Sequence, residues 1–347
     1  MSAGRPLARI VAAGTFRPAP PPGRGALWPA PGAPPRVRSY DRLTLVACAA
    51  GLDAAAAAGW AAADLAGPRT ALALGTAFGA HATNEEYYQG VLGRAAVSPR
   101  LFTYTLPSSP LGELSIHCRQ TGPQQTFCAG WTSGAAALHA AAAHLAAGRA
   151  DRALCLGADV PGATLLPAIE TLAAEPSLPE VGLALALVPA STPRPAAATT
   201  TDATTTSPSS PPGAPPALPI PTDLAGVAAA FAPPSLSGQE ASARVAACLL
   251  AALADAAVPA DGVDLALVAA PRARASAAAA ALAHAGIPAA ARPDARARAD
   301  AAFGAAMGAA PIAAAAALAA APAASWRVAT VVSLCYSGAA SALVFTR

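Results

Sequence analysis

Between Gly122 and Gly134 the chain reads Gly-Pro-Gln-Gln-Thr-Phe-Cys-Ala-Gly-Trp-Thr-Ser-Gly, and no other stretch restricts its folding so sharply. Gln125 to Ala129 has the character of a short strand. It ends at Gly130 in a tight turn, and a long Ala-rich helix, Ser133 to Ala147, starts at once. Short apolar strands alternate with helices elsewhere too. Met1 to Phe16, Arg69 to Thr76, Arg152 to Leu156, Gly182 to Val188 and Asp264 to Ala269 read as strands. Tyr40 to Ala58, with Asp41 in its first turn, reads as a helix, as do Ser242 to Ala256 and Ala275 to Ala285. Asn84 to Tyr88 opens another helix. Ala301 to Ala320 reads as a helix or a broken helix. Arg327 to Ser333 and Ala339 to Phe345 form two last strands around Cys335-Tyr336-Ser337-Gly338. The pattern is α/β.

Two stretches interrupt it. Residues 17–36 are rich in Pro, Gly and Arg and read as a loop. Residues 190–222 are Thr, Pro, Ser and Ala with almost no large apolar side chain. They bury too little surface to offset the entropy of ordering, so a disordered linker is expected there. The chain then divides into 1–189, the linker 190–222, and 223–347, the two halves being of similar type.

Composition narrows the chemistry. All 22 basic residues are Arg, which excludes a Schiff-base Lys and a P-loop Lys. A net charge of +3 gives no footprint for nucleic acid. The 106 Ala, with 28 Gly and 36 Pro, raise the apolar fraction to 54% without making a membrane span. The longest uncharged run, Ala301 to Ala324, is mostly Ala and is broken by Gly304, Gly308, Pro311 and Pro322. Arg5 and Arg9 break any leader-like apolar segment at the N-terminus. The six Cys have no CxxC spacing and read as small buried side chains in a reducing cytoplasm; with five scattered His they propose no metal site and no cofactor.

The Gly122–Gly134 segment, with Gly148-Arg149-Ala150-Asp151 after it, resembles the β-ketoacyl synthases, condensing enzymes of the thiolase fold. Tyr40-Asp41-Arg42-Leu43-Thr44, Leu74-Gly75-Thr76, Ser98-Pro99-Arg100-Leu101-Phe102 with Leu106-Pro107, and Ser333 to Phe345 agree with other stretches of that family. The resemblance implies a thiolase-like fold: two related βαβ-type halves layered α-β-α-β-α, here partly truncated near the linker, after Val160. It also implies three catalytic positions. The acylated Cys at the helix N-terminus, where dipole and backbone donors would activate it, matches Trp131. The first His, after a strand, matches Ala269. The second, in Gly-His-x-x-Gly, matches Ala305 in Gly304-Ala305-Ala306-Met307-Gly308. The family Lys just upstream finds Asp300 as its nearest counterpart.

No catalytic residue is therefore expected, and the chain should be inactive alone. The resemblance points to the family's non-catalytic branch, the chain-length factors of polyketide and aryl-polyene pathways, which pair with an active ketosynthase. By that resemblance Gln125, Thr126, Phe127, Cys128 and Ala129 form an interface strand buried on both faces. Trp131, Thr132, Ser133, Gly134 and Tyr336 then line the pocket. Trp131 either plugs that pocket or packs a vacated cavity, and Tyr336 is either a gate or core. Cys128 is a core or interface residue rather than a thiolate. His139 and His144 fall on solvated or half-buried helix positions, and Glu85 and Glu86 on an exposed face. Arg94, Arg149, Arg152, Arg272 and Arg274 either meet an acidic acyl carrier protein or are simply solvated. Two other readings remain: a remnant that only stabilises its partner or docks a carrier protein, and an independent enzyme of altered chemistry, against which the missing His count.

Overall fold

Ala-rich helices bring few bulky side chains to their neighbours, so their stability must come from close approach of backbone to backbone. The computed structural model shows that approach. It describes residues 5–16, 41–93, 97–173, 180–193, 222–233, 235–292, 307–322 and 325–347. In order these hold β1 (Ala8–Phe16), α1 (Arg42–Ala57), α2 (Ala62–Leu65), β2 (Thr70–Gly75), α3 (His81–Leu92), α4 (Pro99–Phe102), α5 (Ser109–Cys118), β3 (Gln124–Phe127), α6 (Ser133–Ala146), β4 (Arg152–Asp159), α7 (Leu166–Ala173) and β5 (Val181–Pro189). The second half contributes β6 (Thr222–Phe231), α8 (Gly238–Asp255), β7 (Leu265–Ala269), α9 (Arg272–His284), α10 (Ala310–Ala320), β8 (Val328–Leu334) and β9 (Ala339–Thr346).

The strand order is β3-β2-β4-β5-β1-β6-β9-β8-β7. Its two sides repeat each other. In the first half β1 pairs antiparallel with β5, β5 antiparallel with β4, and β4 parallel with β2. In the second, β6 pairs antiparallel with β9, β9 antiparallel with β8, and β8 parallel with β7. β1 and β6 meet only over Ala8–Ile10 and Thr222–Leu224. Each has a register irregularity near its start, at Ile10/Ala12 and at Leu224/Gly226.

Three apolar clusters give the layers. Val46, Ala50 and Ala54 of α1 and Leu114 of α5 pack on Leu72, Leu74, Leu154 and Leu156. Val245, Leu249 and Leu253 of α8, with Leu282 of α9, pack on Val332 and Val344. Between the halves, Leu138 of α6 and Ile312 and Leu318 of α10 meet Leu185, Val331, Leu343 and Phe345. The order is α-β-α-β-α, the thiolase-like arrangement. Strands covered on both faces read as continuous apolar runs, as Ala153–Ala158 does.

Glycine sets the spacing at matching places. A Cβ on Gly14 would lie 2.2 Å from Ala54 N and 2.4 Å from Ala50 O; one on Gly226 would lie 2.1 Å from Ala252 O. Helices α1 and α8 thus rest on the first strand of each half with no side chain between. Several boundaries differ from the sequence reading. Asp41 lies outside the first turn of α1 and caps it, accepting from Thr44 N at 3.1 Å while its other oxygen accepts from Thr83 Oγ1 at 2.7 Å. Helix α8 begins at Gly238, before Ser242, because Ser237 and Glu240 form a capping box. Helix α9 begins at Arg272, right after Pro271. Strand β6 was not anticipated: TDLAGVAAAF has three large apolar residues in ten. Ala190–Thr192 form a turn, Thr222 already belongs to β6, and residues 194–221 of the expected linker lie outside the described residues. Among the described residues no helix is long and apolar enough to cross a membrane.

The junction of the halves is charged. Arg9 is buried in β1 and its Nε donates to Asp223 Oδ1 of β6 at 2.6 Å; its other nitrogens reach the carbonyls of Ala190 and Thr192. Removing one member of a buried pair strands the other charge. Arg9→Ala should lower stability by about 3–5 kcal/mol, whereas Arg9→Met with Asp223→Leu should recover most of it. Urea midpoints of the three proteins check this.

Candidate functional site

Strand β3 ends at Phe127, Cys128 and Ala129 lead off it, and Gly130–Thr132 make one 3₁₀ turn before α6 starts at Ser133. Gly130 takes φ +57, the left-handed region that favours glycine. A Cβ there would also lie 2.3 Å from Cys335 Sγ. Ser133 fixes the turn: its Oγ accepts from Ala129 N at 2.8 Å and lies 2.8 Å from Thr76 O and 2.7 Å from Gly130 O, its two acceptors. Thr132 Oγ1 donates to Ala129 O at 2.8 Å, and Thr76 N to Phe127 O at 3.0 Å. Gly134 leaves room for α10, since a Cβ there would come 2.7 Å from Gly308 O.

Trp131 occupies the turn and is 2% exposed. Its indole meets Phe78 edge-on at 6.3 Å and Tyr336 edge-on at 5.7 Å between ring centres, and packs with Ile169, Met307 and Cys335. The turn before α6 therefore holds a buried ring. Tyr336 is half-buried, and its carbonyl accepts from Arg274 Nη2 at 3.3 Å. Ala269 closes β7, buried, and Ala270-Pro271 lead straight into α9. Ala305 and Asp300 lie outside the described residues.

The sequence reading missed Asp159. It ends β4, is 1% exposed, and accepts from Thr76 Oγ1 (2.9 Å), Ala77 N (2.6 Å) and Gly308 N (2.8 Å), with Ala309 N also bonded to it. Burial pushes its pKa up to about 7 against these donors. Its signal was a single acid at the end of the apolar run Ala153–Ala158. Among the described residues no group of three His, Cys, Asp or Glu is placed to hold a metal ion.

Strand β3 is exposed or half-buried along its length in the single chain. It is the edge of the sheet, paired only with β2 among the described residues. Gln125 is exposed, Thr126 and Phe127 are half-buried, and Cys128 and Ala129 are exposed, so in the single chain the strand is not buried on both faces. Nor is Cys128 a core residue, because the chain leaves the sheet there; the other five Cys are buried. Glu85 and Glu86 do not share an exposed face: Glu85 is half-buried and accepts from Thr164 N at 3.1 Å, while Glu86 is exposed. His139 is exposed, and His144 is half-buried with Nε2 3.2 Å from Gln125 Oε1. Arg149 is exposed, Arg152 is tied to Asp64 at 3.4 Å and stacked on Trp60, and Arg94 lies outside the described residues. Elsewhere on the surface, Tyr88, Leu92, Phe102 and Leu106 are each more than half exposed.

The family model for the β-ketoacyl synthase N-terminal domain matches residues 30–165, the stretch containing the β3–α6 turn. Structural comparison extends the likeness along the chain. The ishigamide ketosynthase/chain length factor superposes with TM-score 0.64 at 24% identity, covering 90% of this chain and 82% of that one. The fold is that of the ketosynthases. A β-ketoacyl synthase from Burkholderia phymatum STM815 has TM-score 0.64 at 17% identity, over 99% of this chain and 93% of that one. The ketosynthase ApeO in complex with its chain length factor ApeC, from Xenorhabdus doucetiae, has TM-score 0.62 at 13% identity, over 99% and 98%. No curated protein matches the sequence. Within the ketosynthase fold, the helix N-terminus after the edge strand here holds Trp131.

Cys128 offers a direct check. An aromatic disulfide reagent should label one thiol in the native chain, and Cys128→Ser should abolish that reaction. Partial burial and the charge on Asp159 raise the Cys128 pKa, so the rate should climb with pH beyond the range of a free thiol.

Proposed function

We propose that this chain is a non-catalytic ketosynthase homologue that works as a chain-length-factor-like partner of an active ketosynthase in fatty-acid or polyketide synthesis, aryl polyenes included. The observation that carries the reading is the buried Trp131 ring at the turn where an acylated Cys would stand. A helix N-terminus and its backbone donors stabilise an oxyanion only if the reacting carbonyl can reach them. The indole, wedged between Phe78 and Tyr336, takes that space.

The open edge supports a partner. A strand that offers unpaired backbone groups is normally covered. The occupant we assign is a second subunit of the same fold, the active ketosynthase, its own edge strand set against β3. Two of the similar structures bear the names of a ketosynthase and its chain length factor, and another is an acyl carrier protein in complex with its ketosynthase. In such a pair this chain forms no acyl-enzyme. It closes the far end of the partner's acyl channel, and Trp131 stiffens that wall.

Co-expression with an active ketosynthase should yield a one-to-one complex by native mass, with Cys128 protected from labelling. A homodimer indifferent to the ketosynthase would overturn the proposal. Trp131→Ala removes a buried ring at a cost of about 3–5 kcal/mol, so Trp131→Phe serves beside it. Either variant should lengthen or scramble the partner's products while this chain gains no activity. Unchanged product lengths from an intact complex would leave a subunit that only stabilises its partner.

A further inference from the structure

Asp159 has no cation among the partners just described, although Asp223, the other buried carboxylate among the described residues, is paired with Arg9. Its four donors are neutral and come from opposite halves of the chain. Thr76 and Ala77 follow β2 of the first half; Gly308 and Ala309 precede α10 of the second. Both turns frame Trp131, through Ala77 and Phe78 on one side and Met307 on the other. Met307 holds φ +39, a conformation a side-chain-bearing residue keeps only under restraint. The Gly308 N–H bonded to Asp159 is the next group along. Thr76 Oγ1 also accepts from Gly79 N at 3.1 Å, so the network reaches the start of α3.

We propose that Asp159 is a proton-sensitive latch that ties the Thr76–Ala77 turn to the Gly308–Ala309 turn and keeps the two halves closed around Trp131. A neutral carboxyl escapes the desolvation of a charge, and its proton has one partner able to accept it, the Thr76 hydroxyl. An ionised one is held by four hydrogen bonds but loses its hydration. Opening the joint restores water to the charge, so ionisation favours the open form. Other titratable groups on the surrounding elements are Cys128 beyond β3, His81, Glu85 and Glu86 on α3, Arg152 and Cys155 on β4, Cys335 and Tyr336 beside Met307, and Glu180 next to Val181, which lies opposite Asp159 on β5. Glu180 is taken by Arg42 at 2.7 Å. None of them bonds Asp159.

The sign follows from linkage. Closed, the Asp159 pKa is near 7; open, it returns toward 3.8. Between those values the closed form holds the proton, so opening grows as pH rises and levels off near pH 7, by up to about tenfold per pH unit. The inference does not depend on the ketosynthase partner and is tested on the chain alone. With Trp28, Trp60 and Trp326 changed to Phe, the remaining emission is that of Trp131. It should shift to the red from pH 5 to pH 7 and stay level to pH 8, and Asp159→Asn, neutral throughout, should remove the shift. In the unaltered chain, hydrogen exchange at Gly308 and Ala309, corrected for intrinsic rate, should rise over the same window and faster than at the core amides of β4. This second measurement decides the matter if the Phe-substituted or Asn variants fail to fold. An emission or exchange profile that is flat with pH, or one retained in Asp159→Asn, overturns the proposal.

Discussion

Helix α6 and the turn that leads into α10 approach each other over Gly134 and Gly308, where a methyl group on Gly134 would stand 2.7 Å from the Gly308 carbonyl oxygen. Much of the rest follows from that distance. It sets the thickness of the middle layer and brings the Gly130–Thr132 turn against the Met307–Ala309 turn. A β-branched or longer side chain at these points would push the halves apart, and Trp131 would lose the wall formed by Met307 and Cys335.

Within that frame the turn before α6 is fully formed. The strand, the turn at positive φ and the helix start that would present a nucleophile are all built, down to the Ser133 bonds that fix them. At the turn stands an indole, and Ala269 ends β7. Cys335 fills the space beside Gly130. A turn held by hydrogen bonds and packed with apolar groups is suited to holding a shape. On the proposed function, the chain's open edge strand is where that shape meets a partner.

Much of the fold could be read from the chain because strands covered on both faces leave unmistakable runs such as Ala153–Ala158, and because Gly130 marks the turn. Strand β6 escaped because Ala and Gly dominate it, so period and bulk both fade. The early start of α8 was written in Ser237 and Glu240 but lay outside the apolar repeat. At the site, Trp131 was legible by position; its burial against Tyr336, 205 residues away, was not. The edge position of β3 and the exposure of Cys128 depend on which strands pair, and a single strand's composition does not carry that information. Asp159 was hidden for a related reason: its donors belong to turns far apart in sequence.

The central claim is that this chain shapes a reaction without entering it. Intact-mass measurement on the co-purified complex, after incubation with acyl-loaded carrier protein, tests it most directly. The account predicts an acyl adduct on the ketosynthase alone, with the mass of this chain unchanged. An adduct on this chain, at Cys128, Cys335 or any other residue, would contradict it.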